Sequence, residues 1–395
     1  MSTSSTTAFR RGRRRPALVA GAAAGILLLA ACSGGGGGSS TSGAGASADV
    51  VAQAQQFVKD GSGPVRWPVP TTPISNPVNL SGKTVAIIPL SDKVPLMHGV
   101  AVGMQGALKA LGADSYICDG GANPSTMADC LKTAGDRKVA AAVPLFMDYE
   151  PLANAIDALN ARGVPVLLEG VAPSPKKPAD TMLAYGDNTA SLAAEYGDVA
   201  YQAINAGGAD THFLVGRLMD STMTTGFSDA AIDKFKQLCP GCEINTIDFT
   251  TSGLDKLPTA ISAALTAHPK TNVVFVPPDS FVPSAAQGIQ AAGFTSKVKL
   301  VGTGADPSGL ARVSAGTEVT TSGVSTEFEG WRATNHLMEM LSGQPVTPST
   351  QSDARVFTKD VVTSLGTIKQ NDYFTSAWFG GDSFKADYLK IWGKG

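Results

Sequence analysis

Short unbroken apolar runs alternate with longer amphipathic stretches along most of the chain. The first run, "KTVAIIPL" (83–90), precedes a helix-patterned stretch over 98–111, and the segment between them reads as a loop whose tip is Pro95, Leu96 and Met97. "ADSYICDG" precedes a helix near 124–137, "VAAAVPLF" precedes "YEPLANAIDALNARG", and "VPVLLEGV" follows. After "APSPKKPAD" (172–180) the pattern restarts. "SLAAEYGDVAYQAINAGG" leads to "THFLVGR", "TGFSDAAIDKFKQL" to "EINTIDF", "LDKLPTAISAALTAHP" to "NVVFVPPD", and "VPSAAQGIQAAG" to "VKLVGTGAD". Short runs that are apolar at every position fit strands buried on both faces, as in parallel sheets. The stretches between them carry the one-sided stripe of a packed helix. Repeated strand–helix–strand units build doubly wound parallel sheets. Roughly 280 residues is much for one sheet, so the pattern predicts two α/β lobes, the first with four strands ending near Asp180.

The two ends depart from this pattern. "RRGRRR" (10–15) precedes an apolar run that ends "LLLAACSGGGGG". A basic start and a short apolar core form an export signal, too short to serve as a mature membrane span. Leu29-Ala30-Ala31-Cys32 resembles the bacterial lipoprotein box. That likeness implies a signal peptide over 1–31 and an acylated Cys32 as the new amino terminus. The chain would then be lipid-anchored on the extracytoplasmic side of the cell membrane. A Gly/Ser-rich tether (32–50) and a proline-rich N-terminal extension (51–82) follow. Residues 362–395 carry Tyr373, Phe374, Trp378, Phe379, Phe384, Tyr388 and Trp392, a density that predicts packing on the body rather than disorder.

Charge and cysteine content narrow the function classes. Loss of the five signal arginines leaves 26 basic against 33 acidic residues, a net charge of −7 with no basic field for nucleic acid. Cys118, Cys130, Cys239 and Cys242 remain, an even number in an exported chain. Of three possible pairings, the sequence-local one, Cys118–Cys130 with Cys239–Cys242, is favoured. "CPGC" follows a helix and enters a strand, the reverse of a redox motif. The four histidines are scattered without metal-ligand spacing. No phosphate-cradling glycine series, nucleophile–base set or paired carboxylates stand out. The reading is therefore no enzyme, no cofactor and no metal.

"VPLMHGVAVGMQGALKALG", "FMDYEPLANAIDALNARGVPVLLEG", "YGDNTASLAAEY", "LTAHPKTNVVFVPPDSFVPSAAQGIQAAG" and "LVGTGADPSG", in this order and spacing, carry a family likeness. The chain resembles the bacterial solute-binding proteins of ATP-driven (ABC) importers, of the ribose/galactose type, with the periplasmic-binding-protein type 1 fold. The resemblance implies two lobes joined by three crossings. Lobe 1 would comprise 83–181 plus 325–349, and lobe 2 would comprise 182–324 plus 350–361. Ligand would sit in the cleft and the lobes would close on it by a hinge. It further implies a monomer that meets membrane permease subunits. Repressor cores of this fold begin with a DNA-binding helix-turn-helix, whereas this chain begins with an export signal. A sensory ligand-binding lipoprotein is the alternative role.

Ligands of open α/β sheets bind beyond the carboxyl ends of the strands. That rule and the resemblance nominate Asp92, Leu96, Met97, Phe146, Met147, Tyr149, Glu169, Gly170, Val171, Arg217, Met223, Phe227, Phe249, Pro278, Asp279, Phe281 and Gly304. Where sugar-binding members stack aromatic rings, this chain has Leu96 and Met97. Their hydroxyl-gripping Asp–Arg pair matches Gly170 and Val171, with Glu169 just before. A cleft asparagine matches Pro278, and an aspartate matches Gly304. Each unmade hydrogen bond would cost about 1–3 kcal/mol. The expected cargo is therefore a largely apolar or aromatic small molecule whose polar end meets Arg217 or Glu169. A carbohydrate or polyol is the alternative. Asp187 and Asn188 read as turn residues between the lobes, and Asp306 as a helix cap.

Overall fold

The computed structural model describes residues 45–188, 197–348 and 354–394. The signal peptide, Cys32 and most of the 32–50 tether lie outside the described residues, as does the start of the "SLAAEY" helix.

The first sheet contains β1 (Thr84–Pro89), β2 (Asp114–Ile117), β3 (Ala141–Leu145), β4 (Val166–Leu168) and β5 (Leu183–Tyr185). Its order is β2-β1-β3-β4-β5, with every pair parallel. Val85 to Ile88 are wholly buried, because helices cover both faces. After an N-terminal helix α1 (Ala48–Asp60), the crossovers are α2 (Pro95–Ala110), α3 (Pro124–Asp136) and α4 (Tyr149–Asn160). Two expectations change here. The lobe boundary at 181 falls too early, since Leu183 pairs with Val166 and β5 completes the first sheet as a fifth strand. A three-residue strand directly after a proline-rich crossing carries too little pattern to be read. The second change is at α2, which begins at Pro95, a residue preorganised for the first helical position. Leu96 and Met97 therefore occupy a helical first turn, not a loop tip.

The second sheet contains β6 (Phe213–Leu218), β7 (Ile244–Phe249), β8 (Val273–Phe275), β9 (Lys299–Thr303), β10 (Glu318–Gly323) and β11 (Arg355–Phe357). Its order is β11-β10-β9-β8-β6-β7, parallel except for the antiparallel edge strand β11. Its helices are α5 (Asp198–Gly207), α6 (Thr222–Leu238), α7 (Leu257–Ala267), α8 (Val282–Ala291) and α9 (Pro307–Ala315). After β10 the chain returns to the first lobe as α10 (Thr326–Leu341), which lies directly on α2. The approach is close enough that a methyl group at Gly330 would sit 2.3 Å from the Met104 backbone nitrogen. Two short helices, α11 (Lys359–Leu365) and α12 (Phe384–Ile391), complete the described fold.

Both disulfides are the sequence-local pairs, Cys118–Cys130 and Cys239–Cys242. Trp392 is buried and stacks on Trp331 of α10 at 5.4 Å, with its ring N–H donating to Asn335 Oδ1 at 2.9 Å. Trp67, from the proline-rich strap, stacks on Phe328 at 4.9 Å. At the other lobe Phe57 of α1 stacks on Tyr201 of α5 at 4.6 Å. Among the described residues no helix is long and apolar enough to cross a membrane.

Candidate ligand-binding site

The carboxyl ends of both sheets meet at one cavity. The first lobe contributes Leu96, Met97 and Val100 from α2, Phe146 after β3, and Glu169 and Gly170 after β4. The second contributes Leu218, Met223, Thr224 and Phe227 around the start of α6, Pro277 and Pro278 after β8, and Thr303 and Gly304 at the end of β9. The end of β10 supplies Ser322 and Gly323, the crossings supply Asp187, Val324 and Ala354, and α10 adds Glu329 and Arg332.

Local backbone geometry shapes the apolar wall. Phe146 has φ +67°, a left-handed conformation that a bulky side chain rarely adopts. Its N–H donates to the Glu169 carbonyl at 2.9 Å, and its ring lies over Gly170. A Cβ at position 170 would fall 2.6 Å from that ring and 3.3 Å from the Met223 sulfur, and Gly170 itself has φ +71°. Backbone strain of this kind costs about 1–3 kcal/mol and persists where its surroundings enforce it.

The polar corner lies on the first lobe. Glu169 is buried, and His336 Nδ1 stands 3.1 Å from each of its carboxylate oxygens. Burial pushes the Glu169 carboxyl up, against the pull of His336. For His336, burial favours the neutral ring, but the Glu169 charge and hydrogen bond outweigh it and the net shift is upward. Asp187 accepts the Gly170 N–H at 3.0 Å, and Arg332 pairs with Glu329 one helical turn away. At the rim the lobes touch directly: Asp148 accepts the Thr222 N–H at 2.7 Å and its hydroxyl at 2.6 Å.

Of the nominated residues, the cavity gathers Leu96, Met97, Phe146, Glu169, Gly170, Met223, Phe227, Pro278 and Gly304. The others point elsewhere. Asp92 binds His98 Nδ1 at 2.8 Å. Met147 and Val171 are core, and the buried Tyr149 donates its hydroxyl to Asp157 at 3.0 Å. Arg217 is held by Asp229 at 2.8 Å and Asp248 at 2.9 Å, so it is no anion partner in the cavity. Phe249 and Phe281 meet edge to face at 6.1 Å and are packed in the core. Asp279 is wholly buried, accepts the Thr321 hydroxyl at 2.7 Å and lies 3.9 Å from Arg312. Asp306 caps α9 by accepting the Gly309 N–H at 2.9 Å.

Sequence reading did not single out Val100, Thr303, Arg332 or Ala354, and it took Asp187 for a turn alone. Helical spacing was the available signal for two of them: Val100 follows Leu96 by four residues, and Arg332 follows Glu329 by three. Among the described residues no group of three or more His, Cys, Asp or Glu could hold a metal ion.

A two-lobed parallel α/β structure with a cavity at the facing strand ends defines a class of solute-binding proteins. Residues 85–345 match the periplasmic binding protein domain family, and the chain belongs to that family, which binds solutes and is not catalytic. No curated protein matches it. Solved structures share the fold. A 5-methylthioribose transporter solute-binding protein from Thermotoga lettingae, in complex with 5-methylthioribose, aligns at TM-score 0.63 and 16% identity, covering 82% of this chain and 100% of that one. An ABC transporter solute-binding protein from Agrobacterium vitis with bound allitol gives TM-score 0.60 and 19% identity over 72% and 98% of the two chains. The Caulobacter myo-inositol binding protein bound to myo-inositol gives 0.59 and 22% over 71% and 95%.

Proposed function

We propose that the chain is the extracytoplasmic substrate-binding component of an ABC-type importer, capturing a small carbohydrate or polyol between its lobes by hinge closure. The observation that carries this reading is the cavity at the facing strand ends, with the carboxylates of Glu169, Asp187 and Glu329 in one corner. Carboxylates accept hydrogen bonds from hydroxyls. The solutes of the three fold relatives, allitol, myo-inositol and 5-methylthioribose, support the same class over the largely apolar cargo that the sequence led us to expect. An apolar or aromatic cargo remains the second reading, favoured by the wall of Leu96, Met97, Val100, Phe146, Met223 and Phe227. Isothermal titration against pentoses, hexoses, polyols and hydroxyl-free ring compounds tests the two. Binding of a hydroxylated solute upholds the proposal; binding confined to the hydroxyl-free rings overturns it in favour of the second reading.

The same proposal includes a monomer of the ribose/galactose subtype, delivery to membrane permease subunits, and anchorage by an acylated Cys32. Membrane fractionation with amino-terminal mass spectrometry tests the anchor. A mature terminus carrying no acyl mass would remove it.

A further inference from the structure

We infer that the cargo is hydroxylated at one end only, carries an apolar substituent at the other, and bears no negative charge. This inference rests on the cavity being the binding site of a hydroxylated solute.

The cavity is chemically divided. Its donors and acceptors on the first lobe are concentrated where β4, the crossing at Asp187 and α10 meet. The opposing surface is mostly apolar, built from Phe146, Met223, Phe227 and the prolines at 277 and 278 with Leu96 and Val100 beside them; of the hydroxyls that also line the cavity, Thr224 is bonded to Ser221 and Ser322 to Gln202, and Thr303 is the third. A fully hydroxylated ring would leave its hydroxyls unpaired along that surface, at a cost for each stranded group. An apolar substituent there loses nothing and gains contact with a thioether that adapts to irregular shapes. The wall is also specifically maintained. Phe146 keeps a left-handed backbone, and Gly170 lacks the Cβ that would collide with the Phe146 ring. These features hold an aromatic face and the Met223 sulfur together over one apolar floor.

Charge sets the other half of the inference. The corner holds Glu169, Asp187 and Glu329 against Arg332 and His336. Glu169 and His336 sum to zero whichever of them holds the shared proton. Among the described residues of the corner, Asp187, Glu329 and Arg332 then leave one net negative charge. Arg332 is already engaged by Glu329. A phosphate or carboxylate on the cargo would meet net repulsion in a region of low dielectric, whereas hydroxyl donors find acceptors.

The test is isothermal titration of the purified protein with matched sets. One set holds parent sugars and cyclitols, a second their methyl, methylthio and phenyl derivatives, and a third their phosphates and acids. A fourth set holds the same apolar groups without hydroxyls. We expect at least one derivative of the second set to bind about tenfold tighter than its parent, and the third set to bind more weakly than the parent. Met223→Asn should weaken the substituted ligand by about tenfold more than it weakens the parent, and an equal loss for the two counts against the apolar subsite. A parent that binds as tightly as every derivative overturns this inference and leaves the carbohydrate or polyol reading standing. An anionic member that binds best overturns the charge assignment. Binding by the fourth set alone, or by none of the four, overturns both the inference and the reading beneath it.

Discussion

Asp148 of the first lobe accepts two hydrogen bonds from Thr222 of the second, one from its N–H at 2.7 Å and one from its hydroxyl at 2.6 Å. Thr222 is the first residue of α6, so a carboxylate from one lobe meets the positive end of a helix from the other. The contact crosses the cleft rim and exists only while the lobes are together. Hydrogen bonds to a charged group are worth about 1.5–3 kcal/mol each, and opening the cleft would return part of that to water. Asp148→Ala should therefore raise the ligand Kd by about tenfold and shift the unliganded protein toward an expanded shape. Titration calorimetry and small-angle scattering read the two effects. An unchanged Kd together with an unchanged radius of gyration would show that the contact does not govern closure.

Gly170→Ala should damage the site more than the fold. The new Cβ would lie 2.6 Å from the Phe146 ring, in a backbone conformation at φ +71° that L side chains resist. The left-handed conformation alone costs about 1–2 kcal/mol. The ring would have to turn into the cavity, so the affinity loss should reach about tenfold or more. Chemical denaturation and ligand titration on the same preparation separate the two consequences. Wild-type affinity in this variant would mean that the Phe146 position is irrelevant to binding.

How much of this was legible in the sequence depends on what each residue faces. Strands such as β1 and β6 announce themselves because burial on both faces leaves an unbroken apolar run, residues 85–88 in one and 213–215 in the other, while β5 has three residues and no contrast with its surroundings. Strand-end reasoning found Phe146, Glu169, Gly170 and Gly304, since each follows a visible strand. It also proposed Arg217, which a one-residue difference in side-chain direction turns toward Asp229 and Asp248. Asp279 lies beside a cavity-lining proline yet turns into the lobe toward Thr321. For Arg332 the only local signal was its spacing of three from Glu329, which says nothing of the site it enters. It enters the site from a helix some 160 residues after Glu169 in sequence, brought there by the second crossing, and local pattern carries no trace of that return.

Tyr373, in the C-terminal extension, donates its hydroxyl to the Gly304 carbonyl at 3.1 Å and is wholly buried. Its own carbonyl accepts the Thr326 hydroxyl at 3.1 Å, so this one residue bonds to a cavity-lining segment of the second lobe and to α10 of the first. Tyr373→Phe keeps the ring and removes the donor, leaving the Gly304 carbonyl short of a partner. The expected cost is about 1–3 kcal/mol, read as a lower urea midpoint with an unchanged denaturant slope. Burial also holds the Tyr373 phenol well above its usual pKa. Its contribution is present below the unfolded value of about 10 and is lost as pH rises beyond it, a loss that the phenylalanine variant should partly escape. A variant as stable as wild type at neutral pH would remove any structural role for this bond.

Several buried carboxyl groups give the protein an unusual dependence on pH. Burial raises Asp198 to about 7 against the opposing pull of Lys234. It raises Glu318 to about 7 although Arg312 opposes it. Asp279, buried beside Glu318, is raised as well, by burial first and by its acidic neighbours next. In each case the folded state holds the proton more tightly than the unfolded chain. For Asp198 and Glu318 the stabilisation is therefore complete below the unfolded carboxyl values near 4 and is lost as pH rises through the folded values of about 7, and Asp279 shifts in the same direction. Glu169 and His336 are shifted in the same direction and add to the trend. Urea midpoints should consequently fall between pH 5 and pH 8, opposite to a protein whose surface carboxylates are salt-bridged. Glu318→Gln should flatten this slope, because its amide oxygen can still accept from Arg312 Nε, now 2.8 Å from the Glu318 carboxylate, and it cannot ionise. A midpoint that rises from pH 5 to pH 8, or a slope unchanged in the glutamine variant, would show that these buried acids are ionised in the folded protein.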